Sequence, residues 1–220
     1  MRVSLVSITT PAPELQALGI LTAEHVITYT ARVSSPANQL NVETAPKLLR
    51  FLIKSRHWSP FELADFTVEV ITSRAIAAQI LRHKSMSIQE FSLRYAASPC
   101  EFEPQEARVK GDTNRQGSLP ATPTVERLWQ AQLKEVQQQT VEMYQAALRN
   151  NIAPEVARMM LPLGVQTRLY LKNSVRGWIH YLEARTDPHA QHEHRLVALA
   201  IKEIFKEQFP DTHAAVFEHE

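Results

Sequence analysis

The stretch of residues 74–95 reads RAIAAQILRHKSMSIQEFSLRY, and its pattern of apolar residues changes part-way along. Ser73 stands directly before it and is a favoured N-cap residue, so we predict a helix that begins with this stretch. On the 3.6-residue period of a helix, Gln79, Arg82 and His83 share one side. The first half of the stretch is therefore predicted to place an amide, a guanidinium and an imidazole together.

The second half of the stretch alternates with a period of two, after a polar connector at residues 84–89. This period predicts an extended strand with one buried face and one polar face. The face predicted to be buried carries three residues: Phe91, Leu93 and Tyr95. The polar face carries the other three: Glu90, Ser92 and Arg94. A carboxylate, a hydroxyl and a guanidinium in one row suit an anion that also has amide-like edges. The alternative is a solvated helix end followed by an ordinary half-exposed strand.

One motif within the stretch favours the functional interpretation. The run Arg82–Lys84, followed by seven residues and then Ser92, closely resembles the R-H-R-(seven residues)-S signature of the flavin-dependent thymidylate synthases. Three flanking residues also stand where that family places them: Gln79, Glu90 and Arg94. Lys84 departs from the arginine that is usual in the family. Lysine keeps the positive charge but lacks the planar, bidentate fork of arginine.

Two further segments resemble elements of the same family. Residues 57–62 read HWSPFE and resemble its H-x-S/T-P-F-E element, which contacts the flavin. Taken alone, this segment is equally well interpreted as a proline-rigidified loop with a packed Phe61. Residues 155–162 read EVARMMLP and resemble its E-x-A-R-x-x-L-P element, in which the arginine, here Arg158, helps to hold the substrate.

A fourth segment, residues 174–185, resembles a family helix that reads N-x-R-x-x-x-(N/H)-x-x-x-x-R. Ser174 departs from the usual asparagine, although an asparagine precedes it. Arg176 and His180 lie one helical turn apart and can address one ligand. Arg185 lies about half a turn from Arg176 around the axis, so we expect it to meet a different part of the ligand set. Each arginine taken alone is more often a surface ion-pair residue.

The resemblance implies a reaction, a fold and an assembly. The reaction is the reductive methylation of dUMP to dTMP, with 5,10-methylenetetrahydrofolate as carbon donor, FAD as hydride carrier and NADPH as reductant. The fold is α+β, with helices packed around a largely antiparallel sheet, in a single domain over residues 1–220. The assembly is a homotetramer whose active sites combine several subunits.

The resemblance also implies roles for residues of this chain. Arg185 is the expected catalytic residue, because a positioned guanidinium stabilises the uracil ring anion as it forms. The residues expected to bind dUMP are Gln79, Arg82, Glu90, Ser92, Leu93, Arg94, Arg158 and Arg185. The residues expected to bind FAD are His57, Ser59, Arg82, His83, Lys84, Glu90, Ser174, Arg176 and His180.

The composition argues against several other classes of protein. A chain of 220 residues is long enough for one domain with a full core, and its net charge of +1 provides no polycationic surface for nucleic acid. Its five glycines cannot form a G-x-G-x-x-G or Walker-type loop, so side chains must hold any nucleotide. The sequence shows neither the apolar core of a signal peptide nor a run of eighteen apolar residues. We therefore expect a soluble, cytoplasmic protein without a membrane partner.

Cys100 is the one cysteine in the sequence, which excludes an internal disulfide and any multi-cysteine metal site. It lies outside every segment that resembles the family. Glu101 and Glu103 are expected to raise its thiol pKa, the opposite of what a nucleophile requires. We therefore interpret Cys100 as a structural residue.

Two other functions remain open at this point. A metal-dependent hydrolase could use His189, His192 and Glu193, since the first and last of these are four residues apart on the predicted final helix. The H-E-x-x-H motif fails, however, because Leu196 stands at the position of its second histidine, and we expect no metal. A non-catalytic nucleotide-binding module is the other alternative.

Periodicity predicts the remaining elements. Strands are predicted at residues 3–8, 63–71 and 165–172, and helices at residues 22–32, 47–55, 123–150, 155–161 and 174–185. A last helix is expected to be capped by Asp187-Pro188 and to run to about Gln208. Residues 101–123 are interpreted as a surface excursion. The helix at 123–150 is expected to bury an apolar stripe that includes Leu128, Val136 and Tyr144.

Overall fold

The computed structural model of the protein describes residues 1–111 and 117–218. Its strands are β1 (Arg2–Ile8), β2 (Asp65–Ser73), β3 (Ser87–Glu90), β4 (Arg108–Lys110), β5 (Ser118–Pro120) and β6 (Gln166–Ser174). Its helices are α1 (Pro13–Gln16), α2 (Ala23–Ala31), α3 (Ala45–Lys54), α4 (Arg74–Ile80), α5 (Pro123–Arg149), α6 (Pro154–Ala157), α7 (Val175–Thr186), α8 (His192–Gln208) and α9 (Pro210–Phe217). Short 3₁₀ helices span Pro36–Asn38, Ser59–Glu62 and Arg158–Met160.

A four-stranded antiparallel sheet in the order β1–β2–β6–β3 forms the centre of the fold. In β2 the alternate residues Phe66, Val68 and Val70 are buried, as the period of two predicts. The ring of Trp178 on α7 stacks on Phe66 with centroids 4.8 Å apart. The prediction of an α+β fold, with helices around an antiparallel sheet in a single domain, is confirmed. That this domain extends over all of residues 1–220 stays a prediction.

Side-chain caps begin several helices, among them the cap predicted at Ser73. The Ser73 hydroxyl oxygen accepts a hydrogen bond of 3.4 Å from the backbone N–H of Ile76 at the start of α4. Thr22 caps α2 and Thr122 caps α5 in the same way. Ser174 caps α7, because its hydroxyl oxygen accepts a hydrogen bond of 3.2 Å from the N–H three residues on. The sequence analysis did not predict this capping role for Ser174.

The predicted strand over residues 90–95 is wrong, because β3 ends at the first of these residues. The Ser92 hydroxyl oxygen accepts a hydrogen bond of 3.3 Å from the backbone N–H of Arg94. Such a local bond favours a turn over a sheet ladder. Leu93 is buried but Tyr95 is 82% exposed, so the predicted aromatic face does not enter the core.

Helix α4 is shorter than the predicted helix and ends at Ile80. A turn follows, in which the backbone N–H of Arg82 donates to the carbonyl of Gln79 at 3.2 Å. Because α4 ends before Arg82, the helical period does not relate this residue and His83 to Gln79; Gln79 and His83 are half-buried, whereas Arg82 is exposed. The predicted connector at residues 84–89 is also partly a strand, because β3 begins within it.

The predicted cap of the final helix at Asp187-Pro188 is wrong. The Asp187 carboxylate instead accepts hydrogen bonds from the backbone N–H of His189 at 2.7 Å and from its ring at 2.8 Å. Helix α8 begins only at His192, so His189 does not share a helical face with Glu193. A separate helix, α9, follows α8 and was not predicted. Its first residue is a proline, which is favoured at that position.

The segment at residues 101–123 is more than the predicted surface excursion. The carboxylate of Glu103 is buried and accepts hydrogen bonds from the Thr72 hydroxyl at 3.0 Å and the Ser73 backbone at 2.9 Å. The β4–β5 hairpin lies within the same segment. The start of this segment therefore anchors the end of β2, while its hairpin lies near α8 through the ion pair of Arg108 with Glu193.

Most of the apolar stripe predicted on α5 is not buried within one chain. Tyr144 is buried, and Leu148 packs beside it against a small cluster. Leu128 and Val136, however, are 59% and 52% exposed. Within the described residues, α5 and the other helices lack the combination of length and apolar character that a membrane span requires.

Gly177 allows α7 to approach the buried side chain of Asn173, although glycine is a weak helix former. A Cβ atom at Gly177 would overlap the Asn173 side-chain amide. We predict that Gly177→Ala lowers the free energy of unfolding by about 1–3 kcal/mol, because the side chain beneath it must shift. Thermal denaturation of the two proteins measures this change.

Gly164→Ala is the matched control, since a Cβ atom there meets no heavy atom within 4 Å. We expect this control to leave the melting temperature nearly unchanged. Equal melting temperatures for the two alanine variants would contradict the close-packing interpretation of Gly177.

Candidate active site

The first group of predicted site residues meets at the C-terminal end of α7. The Nε of Arg185 donates a hydrogen bond of 2.8 Å to the Nε2 of His83. Because this nitrogen accepts, the proton of a neutral His83 ring lies on Nδ1. Burial, and then the charge of Arg185, lower the pKa of His83. The imidazole is therefore kept neutral, and it orients the Arg185 guanidinium.

Gln79 contacts a buried histidine, His194, that lies near Arg185 and His83. The Nδ1 of His194 lies 3.2 Å from the amide oxygen of Gln79, and its Nε2 lies 3.1 Å from the Tyr181 hydroxyl. Burial, followed by the charge of Arg185, lowers the pKa of His194 to about 4. His194 was not among the site residues expected from the sequence. No signal in its local sequence shows that it contacts Gln79, which stands 115 residues away.

The second group joins the loop at residues 57–62 to the N-terminal half of α7. Arg176 forms an ion pair of 3.1 Å with Glu62, and the ring of His180 lies 5.3 Å from that of Trp58. Phe61 is fully buried and anchors the loop to the core. The structure therefore brings this loop together with Arg176 and His180, two of the residues that the resemblance assigns to FAD.

The third group lies around α6. Arg94 and Glu155, both exposed, form an ion pair of 3.4 Å, and the Nε of Arg158 donates to the Glu155 carbonyl at 3.2 Å. This contact brings the two predicted substrate arginines to one place on the chain. Surface pairs of this kind add little to stability, so both guanidinium groups can exchange their contacts for a bound anion.

Glu90 is held from two sides at the end of β3. Its carboxylate pairs with Arg74 at 3.2 Å and accepts a hydrogen bond of 2.9 Å from the Thr167 hydroxyl. Arg74 also donates to the Phe91 carbonyl at 3.2 Å. The sequence analysis named Glu90 but did not predict that Arg74 and Thr167 hold it.

The remaining predicted residues lie mostly at the surface. His57, Ser59, Arg82 and Lys84 are exposed, whereas Ser92 is half-buried and Leu93 is buried. A side chain that must contact a ligand is expected to be accessible, and Leu93 does not meet this expectation in the isolated chain. Ser174 uses its hydroxyl oxygen to cap α7. The contacts expected between the site residues and ligands stay predictions.

A cavity of about 460 Å³ opens beside the first group of residues. Its lining includes Gln79, Arg185, Gln191, His189, Arg108 and Ser118. The amide nitrogen of Gln79 donates a hydrogen bond to the side-chain oxygen of Gln191 on the cavity wall. The cavity therefore presents a guanidinium and side-chain amides to a small polar ligand.

The residues of the alternative metal site have other partners. Glu193 forms an ion pair with Arg108 and accepts a hydrogen bond of 2.9 Å from Gln191. The ring of His189 is bonded to Asp187, away from that carboxylate. Over residues 1–111 and 117–218, no three His, Cys, Asp or Glu side chains are grouped in a way that could hold a metal ion.

Cys100 has a thiol with a raised pKa, as predicted, but the cause is different. Burial raises the pKa, while a hydrogen bond with the Ser98 side chain opposes this effect. The two carboxylates expected to raise this pKa, Glu101 and Glu103, are not among its causes. A thiol held in this way is a poor nucleophile at neutral pH.

Comparisons with known proteins bear directly on this arrangement. A family model described as thymidylate synthase complementing protein matches residues 19–211. A protein of Paramecium bursaria Chlorella virus 1 named probable flavin-dependent thymidylate synthase is 46% identical over 211 residues, 96% of each chain. The chain belongs to the flavin-dependent thymidylate synthase family. The resemblance noted in its four motifs is thereby confirmed.

Other members and a solved structure agree with this assignment. A flavin-dependent thymidylate synthase of Synechocystis sp. is 50% identical over 198 residues, which cover 89% of this chain and 90% of the relative. The crystal structure of a UMP/dUMP methylase, PolB, from Streptomyces cacaoi bound with 5-Br UMP superposes with a TM-score of 0.82 at 26% identity. That comparison covers 97% of this chain and 92% of PolB.

The buried His194 makes stability depend on pH. Its pKa is about 4 in the folded protein and near 6.5 in the unfolded chain, so the unfolded chain binds more protons between these values. Stability is therefore fully present above pH 6.5 and falls as the pH decreases towards 4. We predict that His194→Asn flattens this dependence, as measured by urea unfolding at a series of pH values.

His192→Asn provides the control, because His192 is exposed on the same helix and water solvates its ring in both states. This variant should keep the pH dependence of the parent protein. If the free energy of unfolding of His194→Asn depends on pH as strongly as that of the parent protein, then His194 is not the histidine that causes this dependence.

Proposed function

We propose that this protein catalyses the reductive methylation of dUMP to dTMP. The proposal uses 5,10-methylenetetrahydrofolate as the carbon donor, FAD as the redox cofactor and NADPH as the reductant. The observation that carries it is the guanidinium of Arg185, oriented by neutral His83 beside Gln79 at a polar cavity. Family membership and the similarity to the UMP/dUMP methylase PolB support the substrate.

The residues of the second group fit an FAD molecule by their chemistry. A dinucleotide carries a pyrophosphate and flat rings, and this group offers Arg176 with the ring pair of Trp58 and His180. Lys84 and His57 are exposed and are therefore accessible to a ligand. We propose that these residues hold FAD together with the other predicted cofactor residues, in place of a glycine-rich loop. Bound FAD would supply the redox chemistry that amino-acid side chains lack.

Arg185 would act by stabilising charge. Carbon 5 of uracil is a weak nucleophile until electron density enters the ring from the N3 and carbonyl positions. Arginine remains protonated and is therefore a poor base, but its fixed guanidinium stabilises the ring anion as it forms. His83 reduces the reorganisation that this requires, because it already holds the Arg185 Nε.

The third group would bind the phosphate of dUMP. Arg94 and Arg158 lie on either side of Glu155 and carry two positive charges within one small area. A phosphate accepts bidentate hydrogen bonds from such groups. The assignments of Ser92, Leu93 and Glu90 to dUMP, and a cytoplasmic location, remain parts of the proposal.

The two alternative functions receive less support. A metal-dependent hydrolase would need Glu193, which Arg108 and Gln191 already engage. A nucleotide-binding module would bind dUMP without turnover, so an activity assay separates it from the proposed enzyme. The visible spectrum of the purified protein adds a simple test, because bound oxidised flavin is yellow.

We predict that Arg185→Ala lowers dTMP formation by about a hundredfold or more, because the developing ring charge loses its stabilising group. Cys100→Ala is expected to keep most of the activity. One assay with dUMP, methylenetetrahydrofolate, FAD and NADPH compares both variants with the parent protein.

Arg50→Ala, which removes an exposed arginine from α3, serves as the matched control and should retain full activity. Flavin titration confirms that each variant is folded. Lost turnover in Cys100→Ala protein that still binds flavin would refute the proposed mechanism. A parent protein without any spectral response to FAD would refute the proposed function.

We also propose that the chain forms a homotetramer with shared active sites. Trp129, Val136 and Met143 recur every seven residues on α5 and are 41%, 52% and 57% exposed. A stripe of this kind is expected to pack against another helix. Within one chain, the contacts described above also leave the predicted substrate residues in separate groups, which supports a site completed by a second copy.

We predict that Val136→Glu dissociates the tetramer and lowers activity, because a charge cannot be buried unpaired in an apolar interface. Light scattering in the presence of FAD measures the assembly. Lys134→Glu changes an exposed residue on the other side of α5 and should leave it intact. A monomeric parent protein under these conditions would contradict the assembly.

A further inference from the structure

Two buried polar side chains beside the candidate site have no role in the function proposed above. His194 is fully buried and Tyr181 is 2% exposed. Neither residue belongs to the motifs that carry the family resemblance as catalytic or ligand-binding positions. They are nevertheless bonded to each other and, through His194, to Gln79. A polar group is expected to be buried only where its hydrogen bonds are satisfied, so their arrangement has a definite geometry.

Each of the two hydrogen bonds made by His194 has only one possible donor. The amide oxygen of Gln79 can only accept, so the Nδ1 of His194 must donate to it. The Nε2 of a neutral imidazole then carries no proton and must accept from the Tyr181 hydroxyl. We define Tyr181, His194 and Gln79 as the amide relay. Its polarity leaves the NH₂ group of Gln79 directed away from His194, towards Gln191 on the cavity wall.

The surroundings of the amide relay keep His194 neutral. Burial opposes its protonation, and the nearby Arg185 charge adds to this effect. The Tyr181 ring also packs edge-on against His83, with centroids 4.9 Å apart. A doubly protonated His194 would donate from both nitrogens and would break the bond from Tyr181. The relay therefore has one stable arrangement of protons.

We propose that Tyr181 and His194 are positioning residues that fix the Gln79 amide so that its NH₂ group faces the nucleotide. An amide without this constraint can rotate and present either its oxygen or its nitrogen. With the relay intact, the cavity offers a hydrogen-bond donor to a nucleotide oxygen at this position. The inference rests on the proposed function, since only that function assigns Gln79 to dUMP.

A double-mutant cycle on FAD-loaded protein tests whether the relay acts through Gln79. Tyr181→Phe keeps the ring and its packing but removes the hydroxyl that orders His194. We expect it to weaken dUMP binding by about fivefold, the equivalent of one hydrogen bond. In a Gln79→Ala background the same change should alter the affinity by less than about twofold. Isothermal titration with dUMP measures all four proteins.

His194→Asn is the conservative variant, because its amide nitrogen can replace Nδ1 as a donor to Gln79. We expect it to bind dUMP within about twofold of the parent protein, whereas His194→Leu should resemble Tyr181→Phe. Tyr144→Phe is the matched control. It also removes a buried tyrosine hydroxyl, one that accepts a hydrogen bond of 3.0 Å from Ser98 in a separate cluster. This control should bind dUMP like the parent protein.

The outcomes separate this inference from the function on which it rests. Parent protein that does not bind dUMP refutes the proposed function. If the parent protein binds dUMP and Tyr181→Phe has no effect on the affinity, the relay alone is refuted. The same holds if Tyr181→Phe weakens binding equally in the parent protein and in Gln79→Ala. A flavin content equal to that of the parent protein confirms that each variant is folded.

Discussion

The contact between Trp178 and Phe66 is the interaction on which the arrangement of the site depends. The stacked rings fix α7 against β2, and the indole nitrogen donates a hydrogen bond of 3.1 Å to the Phe66 carbonyl. This bond fixes the position of the helix as well as its distance from the sheet. Arg176 and Arg185 are nine residues apart on α7 and are therefore separated by about 13 Å along its axis. One packed helix thus holds the proposed cofactor group at one end and the proposed catalytic group at the other.

The C-terminal end of α7 combines a positive charge with neutral histidines. Arg185 lies beside His83 and His194, and burial with this charge lowers the pKa of each ring. Neutral imidazoles can both accept and donate, so they connect Arg185 and Gln79 to the core without adding further charge. The same burial makes the network sensitive to acid, because protonation of His194 is favoured only after unfolding. Orientation of the site and its dependence on pH therefore have one physical origin.

Some features of the fold and site follow from local sequence. The period of two in β2 and the N-cap Ser73 are short-range patterns, and the structure confirms both. The motif at Arg82–Lys84 is also short-range, and it correctly indicated the family. The strand predicted at residues 90–95 failed because the Ser92 hydroxyl bonds the nearby backbone in a turn, and alternation alone does not reveal such a turn. The cap predicted at Asp187 failed because its carboxylate bonds the residue two positions on, a competing local structure with the same residue preferences.

The sequence by itself determined the family, the class of fold and most of the charged residues expected to bind ligands, because motifs and periodicity are encoded within a few neighbouring positions. Only the tertiary structure decided which of these residues meet. The bond between Gln79 and His194 joins residues 115 positions apart, and that between His83 and Arg185 joins residues 102 positions apart. Such pairs depend on how α4, α7 and α8 pack. Packing is set by the whole core, so no local pattern can reveal them.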